Sequence, residues 1–106
     1  MEYVEYIDKN EYVILYRMHA PGSIAEIPSF VAGKPVRMLA DHLFAEEPSA
    51  LWNASQIRRE PEEADRLEKA LCGSSLEVIR IPEGVEAIGN YVFYGCYNLR
   101  EVSFPA

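Results

Sequence analysis

The sequence predicts an α+β fold of stacked repeat units, because a short pattern recurs near the C-terminus at a fixed distance. Four residues return 23 positions later with similar chemical character: Leu76, Ile79, Ile81 and Pro82 are followed by Leu99, Val102, Phe104 and Pro105. A period of about 20 to 50 residues is typical of repeat proteins, in which one unit buries its open faces only against a copy of itself. A strand pattern before the repeats and a helical pattern between them complete the predicted fold class.

Residues 1–20 are predicted to form a β-hairpin that caps the first repeat. Residues 3–7 and 12–18 are rich in tyrosine and β-branched residues, and Asp8-Lys9-Asn10 supplies the turn. A cap is expected here because the outer face of a terminal repeat would otherwise be exposed.

Residues 24–44 are predicted to be a divergent copy of the repeat. Ile27-Pro28 corresponds to Ile81-Pro82, and Asp41 corresponds to Asn90, so that each copy places a capping side chain before a short helical turn. The spacing differs because residues 29–35 provide a longer loop with a glycine turn.

Residues 45–75 interrupt the repeats and are predicted to form a helical insertion. Apolar residues keep one face through residues 50–57, and Pro61 fits the first position of a second helix. That second helix would bury a stripe through Ala64, Leu67, Ala70 and Leu71 and would end at Gly73. Trp52 is interpreted as packing the insertion onto the repeats, with an exposed binding residue as the alternative.

Residues 76–98 form the best-defined repeat, and residues 99–106 begin another. Ile79 and Ile81 alternate with Val78 and Arg80, as in a short strand with one buried face, and Pro82 ends that strand. The fixed positions of the pattern are Ile81-Pro82, Val85, Ile88-Gly89, Val92-Phe93, Cys96, Leu99, Val102 and Phe104-Pro105.

This pattern closely resembles the BspA-like leucine-rich repeat family. The resemblance implies a right-handed solenoid with short strands on one face and short helical turns on the other. It also implies a role in binding proteins or surfaces, since members of the family are mostly bacterial cell-surface or secreted proteins.

Length and composition restrict the class of protein and the class of partner. With 106 residues, of which 49% are hydrophobic, the chain is predicted to be a single folded domain spanning residues 1–106. The net charge of −7 argues against a nucleic acid or an anionic membrane as the partner. The first ten residues lack the order of a signal peptide, so the location is cytoplasmic by default, in contrast to most of the family.

The side chains that could carry chemistry show no catalytic or metal-binding motif. His19, His42, Cys72 and Cys96 lack close ligand spacing, and neither a metal nor a cofactor is predicted. Cys96 is interpreted as a packed thiol, and a Cys72–Cys96 disulfide is the weaker alternative. The chain is therefore not expected to be an enzyme.

Three functions are compatible with these observations. The first is a protein-interaction module with an unidentified partner. The second is a structural piece of a larger repeat-containing surface protein. The third is a small hydrolase, whose support is limited to the many acidic residues and the insertion.

Two surfaces follow from the repeat pattern. If Ile27 and Ile81 are equivalent, Glu26 and Arg80 project from the same face of a sheet. The candidate partner-binding face then consists of Ile24, Glu26, Val78, Arg80, Glu101 and Ser103. At the other end, the strand around Val102 and Phe104 would present an open edge, which is expected to form a homodimer.

Overall fold

The computed structural model describes residues 2–105 and consists almost entirely of β-structure. Its strands are β1 (Tyr3–Asp8), β2 (Val13–His19), β3 (Ile24–Glu26), β4 (Phe30–Val31), β5 (Lys34–Leu39), β6 (Ile57–Glu60), β7 (Val78–Arg80), β8 (Ala87–Ile88) and β9 (Glu101–Ser103). Within residues 2–105 the only helix is a single 3₁₀ turn at Gly73–Ser75. The predicted α+β solenoid with a helical insertion is therefore wrong.

The strands form two sheets. The larger is a mixed sheet in the order β4-β5-β2-β1-β6, with β8 added in parallel to β5. The smaller is a parallel sheet in the order β3-β7-β9. The main apolar core contains side chains from both sheets, including Val13 and Leu15 of β2 and Ile79 of β7.

The predicted N-terminal hairpin is present as the antiparallel pair β1 and β2. Its turn contains Asn10 with a positive φ of 75°, and the Asn10 amide donates to Asp8 Oδ1. This hairpin is more than a terminal cap, because β2 also pairs in parallel with β5 and is buried on both faces. A strand in such a position is expected to read as a nearly continuous apolar run, as Val13 to Tyr16 does.

Residues 24–44 and residues 76–98, the two predicted copies, are joined to each other by backbone pairing. Leu39 pairs with Ile88 in parallel strands, and the Phe44 amide donates to the Val92 carbonyl. His42 and Tyr91, which occupy corresponding positions, both have positive φ, at 62° and 58°. A left-handed residue interrupts helical backbone geometry, so each copy has a non-helical turn where a short helical turn was predicted.

The capping prediction needs a related correction. The Asp41 side chain accepts a hydrogen bond from the Asn90 amide at 2.7 Å, and the Asn90 carbonyl accepts one from the His42 amide. Asp41 therefore joins one copy to the next, where it was expected to cap its own turn.

The insertion, residues 45–75, is where the prediction fails most clearly. Its middle is β6, which pairs antiparallel with β1 and so protects an edge of the mixed sheet. Arg66, in the predicted second helix, has a φ of 63°, and Leu67 of the predicted buried stripe is 85% exposed. A short isolated helix is only marginally stable, so tertiary contacts decide the structure of such a segment.

Candidate interaction surfaces

The parallel sheet has the register that the repeat pattern predicts. Glu26 pairs with Arg80 and Arg80 with Ser103, while Ile24 pairs with Val78 and Val78 with Glu101. The intervening row of Ala25, Ile79 and Val102 packs against the core. The six residues of the candidate partner-binding face therefore lie on the side of the sheet away from the core. The insertion does not separate the strands, since β3 and β7 are direct neighbours. That this face binds a partner stays a prediction.

Charge and exposure vary across this face. The Arg80 guanidinium donates to Glu26 Oε1 at 2.5 Å, and both side chains remain largely exposed to solvent. Ile24 is half exposed, whereas Val78 is only 3% exposed. Contact with a partner would therefore involve the residues around Val78 more than Val78 itself.

A second surface is a groove between the turns of the two repeat copies, which we call the tyrosine groove. It has a volume of about 420 Å³. Its lining residues are His42, Ala45, Glu46, Glu47, Ser74, Tyr94, Gly95 and Tyr97. Tyr94 and Tyr97 are 64% and 86% exposed, which is unusual for large aromatic side chains in a folded protein.

Backbone stacking between the copies builds one wall of the tyrosine groove. The His42 and Tyr91 rings lie 5.3 Å apart, and Tyr91 meets Tyr94 edge-on at 6.2 Å. Both ring contacts fall within the range of favourable aromatic pairs. The positive φ at His42 and Tyr91 places these side chains at equivalent points of successive turns.

Arg17 holds the opposite wall of the tyrosine groove through hydrogen bonds to its backbone. It is 4% exposed, and its guanidinium donates to the backbone carbonyls of Leu43, Ala45 and Glu46. Burial lowers the pKa of Arg17 from its ordinary value. The side chain reaches this segment because β2 has a bulge in its pairing with β1, and a bulge re-aims neighbouring side chains. Tyr16 also contacts this segment, through its hydroxyl and the Ser49 carbonyl.

The two cysteines are free thiols. Cys96 Sγ lies 3.6 Å from the Phe44 carbonyl oxygen, which also accepts the Gly73 amide at 2.8 Å. Burial raises the pKa of the Cys96 thiol, so it stays protonated at neutral pH. Cys96 is thus a packing residue, and the disulfide alternative is not present in this structure.

The two histidines have different surroundings. His19 stacks on Tyr3 at 4.2 Å and contacts the Glu5 carboxylate at 2.6 Å. His42 and Ser74 both line the tyrosine groove, but no hydrogen bond joins them in the described part of the chain. The described residues contain no cluster of three metal-ligating side chains. No helix among them is long and apolar enough to cross a membrane.

Arg17 and the tyrosine groove were not identified from the sequence. A lone arginine inside the apolar run of β2 is a detectable signal, because a buried arginine must find several acceptors. Tyr91, Tyr94 and Tyr97 recur every three residues, but nothing local to them indicates that residues 42–47 lie opposite.

Backbone hydrogen bonds join residues 24–44 to residues 76–98, strand to strand and turn to turn. The C-terminal part of the chain, residues 66–106, matches the family model described as "BspA type Leucine rich repeat region (6 copies)", so this segment is similar to that family. The match does not extend to residues 1–65. No curated protein and no solved structure matches the chain.

Proposed function

We propose that this protein is a non-catalytic interaction module that binds a partner protein through the exposed face of its parallel sheet. The observation that supports this most directly is the register of β3, β7 and β9, which aligns Glu26, Arg80 and Ser103 in one row. Parallel rows of outward side chains on stacked repeats are the surfaces by which repeat proteins bind partners. The BspA-type match supports an interaction role in general and names no partner.

The chemistry of the face suits a polar partner surface with both signs of charge. Arg80 and Glu26 already pair with each other, so a partner would exchange this ion pair for its own charged groups. Exposed ion pairs of this kind contribute little to stability, so the exchange costs little. Ile24 and the stem of Arg80 add apolar contact area.

The test is quantitative affinity capture from extracts of the source cells and of their surroundings. Wild type is compared with Arg80→Glu/Glu101→Lys, which leaves the net charge unchanged and reverses the charge pattern of the face. The control is Arg58→Glu/Glu63→Lys, which makes the same exchange elsewhere on the surface. A protein retained by wild type and by the control and lost with the face variant supports the proposal. Equal retention by all three excludes this face as the binding surface.

A structural role within a larger repeat assembly is the second candidate, and one observation favours it. In the part of the chain that the structure describes, β9 pairs with β7 on one side and with no strand on the other. Such an edge presents backbone donors and acceptors to a further strand. This candidate role can be tested directly by measuring whether the protein self-associates through the β9 edge.

A further inference from the structure

We propose that the tyrosine groove is a second binding site, which receives a lysine or arginine side chain of a partner polypeptide. The site shares no residue with the exposed face of the parallel sheet. It therefore does not depend on the function proposed for that face.

The first observation is unpaired negative charge at the groove. Glu46 and Glu47 are exposed and line it together, and within residues 2–105 neither carboxylate forms an ion pair. Arg17 lies beneath them, but its guanidinium donates to the backbone carbonyls of the segment rather than to the carboxylates. The net charge of −7 adds to the attraction of a cation toward this surface.

The second observation is the exposed aromatic surface in the same groove. Tyr94 and Tyr97 line it together with the two carboxylates, and Tyr91 makes an edge-on contact with Tyr94. A tyrosine ring attracts a cation above its face, and more strongly when the pair is desolvated. Carboxylates and aromatic faces together are the combination that recognises ammonium and guanidinium groups.

The third observation is that one wall and part of the other are held in place before any ligand arrives. Arg17 fixes the backbone at residues 43–46, and a Cβ built at Gly73 would lie 2.7 Å from Glu46 Oε1, so this carboxylate packs directly on the Gly73 backbone. On the tyrosine side, the His42 ring contacts Tyr91, and Tyr91 contacts Tyr94. A groove that is already formed loses less conformational entropy when it binds a ligand.

A neutral ligand such as an oligosaccharide fits less well. Covering Glu46 and Glu47 with an uncharged group would remove water from two carboxylates without replacing their favourable interactions. A cation replaces that solvation with an ion pair. The lining also has few of the amide donors that would orient sugar hydroxyls.

The experiment measures binding of a fluorescent, end-blocked oligolysine peptide by anisotropy near physiological ionic strength. Two variants remove the groove's chemistry: Glu46→Gln/Glu47→Gln removes the charge, and Tyr94→Leu/Tyr97→Leu removes the aromatic faces while keeping apolar bulk. The matched control, Glu62→Gln/Glu63→Gln, removes the same charge from another exposed acidic pair. Each groove variant is expected to weaken binding about tenfold or more, and the control less than about twofold.

Each other outcome overturns the proposal. Equal weakening of peptide binding by Glu46→Gln/Glu47→Gln and by Glu62→Gln/Glu63→Gln would mean that only the net charge attracts the peptide. No binding by wild type, or binding of neutral oligosaccharides in preference to the peptide, would assign the groove a different ligand or none. Amide chemical shifts of wild type on titration give an independent readout, with changes expected at residues 42–47 and 94–97. The sheet-face variant Arg80→Glu/Glu101→Lys should bind the peptide as wild type does, so failure of one proposal leaves the other intact.

Discussion

At the scale of single residues, Arg17 links the N-terminal hairpin to the turn of the first repeat copy. Its buried guanidinium donates to several backbone carbonyls, and no carboxylate of residues 2–105 pairs with it. The free energy of unfolding therefore depends on this one side chain, because the carbonyls of residues 43–46 belong to one segment and cannot turn independently toward other donors.

Replacing Arg17 by methionine, which keeps an apolar side chain of comparable length, should lower the free energy of unfolding by about 2–4 kcal/mol, because buried acceptors lose their donors. Arg100→Met is the control, since Arg100 is exposed and forms an exposed ion pair with Glu77; its effect should stay below about 0.5 kcal/mol. Urea unfolding followed by tyrosine fluorescence and by circular dichroism measures both. Similar losses for the two variants would contradict the structural role of Arg17.

Asp8 provides the pH dependence that the structure predicts most directly. Hydrogen bonds from Lys34 Nζ and from the Asn10 amide hold the pKa of this carboxyl below its ordinary value of 3.8. A carboxyl with a lowered folded-state pKa stabilises the protein above its unfolded-state pKa. That contribution is lost as the pH falls below 3.8 and through the lower folded-state pKa.

The variant Asp8→Asn should therefore be less stable than wild type at neutral pH, and the difference should shrink in strong acid. The measurement is the urea midpoint of both proteins at pH values above and below 3.8. Glu11→Gln, in the same exposed turn, is the control and should show no such convergence. A wild-type advantage that persists unchanged into strong acid would exclude ionised Asp8 as its source.

At the scale of elements, the stacking of the two repeat copies depends on close backbone contact at Gly89. A Cβ at this position would lie 2.6 Å from the Asp41 amide nitrogen and 2.9 Å from the Leu39 carbonyl oxygen. Both neighbours are backbone atoms, and the Gly89 amide itself donates to that carbonyl. The pairing of β5 with β8 must therefore loosen if Gly89 acquires a side chain.

Gly89→Ala should destabilise the protein by about 1–3 kcal/mol, in spite of the reduced entropy of the unfolded chain. Hydrogen exchange should locate the loss: the amides of Gly89, Asn90 and His42, which bond between the copies, should lose protection first. Glu83→Ala, in the exposed turn before β8, serves as the control. Unchanged exchange at these three amides would refute the close contact at Gly89.

The elements also show which parts of the fold the sequence predicts. The register of β3, β7 and β9 follows from the repeat: the Ile27 amide donates to the Arg80 carbonyl as the Ile81 amide donates to the Ser103 carbonyl, and both side chains are buried. β6 could not be predicted in this way, since its partner β1 lies some 50 residues earlier and the flanking patterns, residues 50–57 and the segment from Pro61 to Leu71, favour helices. The tyrosine groove was missed for a similar reason: residues 42–47 and 94–97 meet only when the repeats stack.

At the scale of the whole molecule, the two sheets place three unlike surfaces on one small domain. The face of the parallel sheet mixes both signs of charge, whereas the tyrosine groove is acidic and aromatic. The third surface is the edge of β9, next to Phe104, which is 61% exposed. Ala106, the last residue of the predicted partial repeat 99–106, lies outside the described residues.

The β9 edge leads to the last prediction, self-association. A second copy can pair its own β9 with this edge about a two-fold axis, which satisfies the backbone groups of both strands and covers Phe104. The mutual repulsion of two chains of charge −7 opposes this contact, so association should strengthen as salt screens the charges. Sedimentation equilibrium at micromolar concentration should show a dimer for wild type and mainly monomer for Phe104→Lys.

Phe30→Lys is the matched control, because Phe30 is equally exposed, at 66%, but lies on β4 at the edge of the other sheet. A wild-type monomer at all concentrations would exclude the dimer, and loss of association only in Phe30→Lys would place the interface at β4.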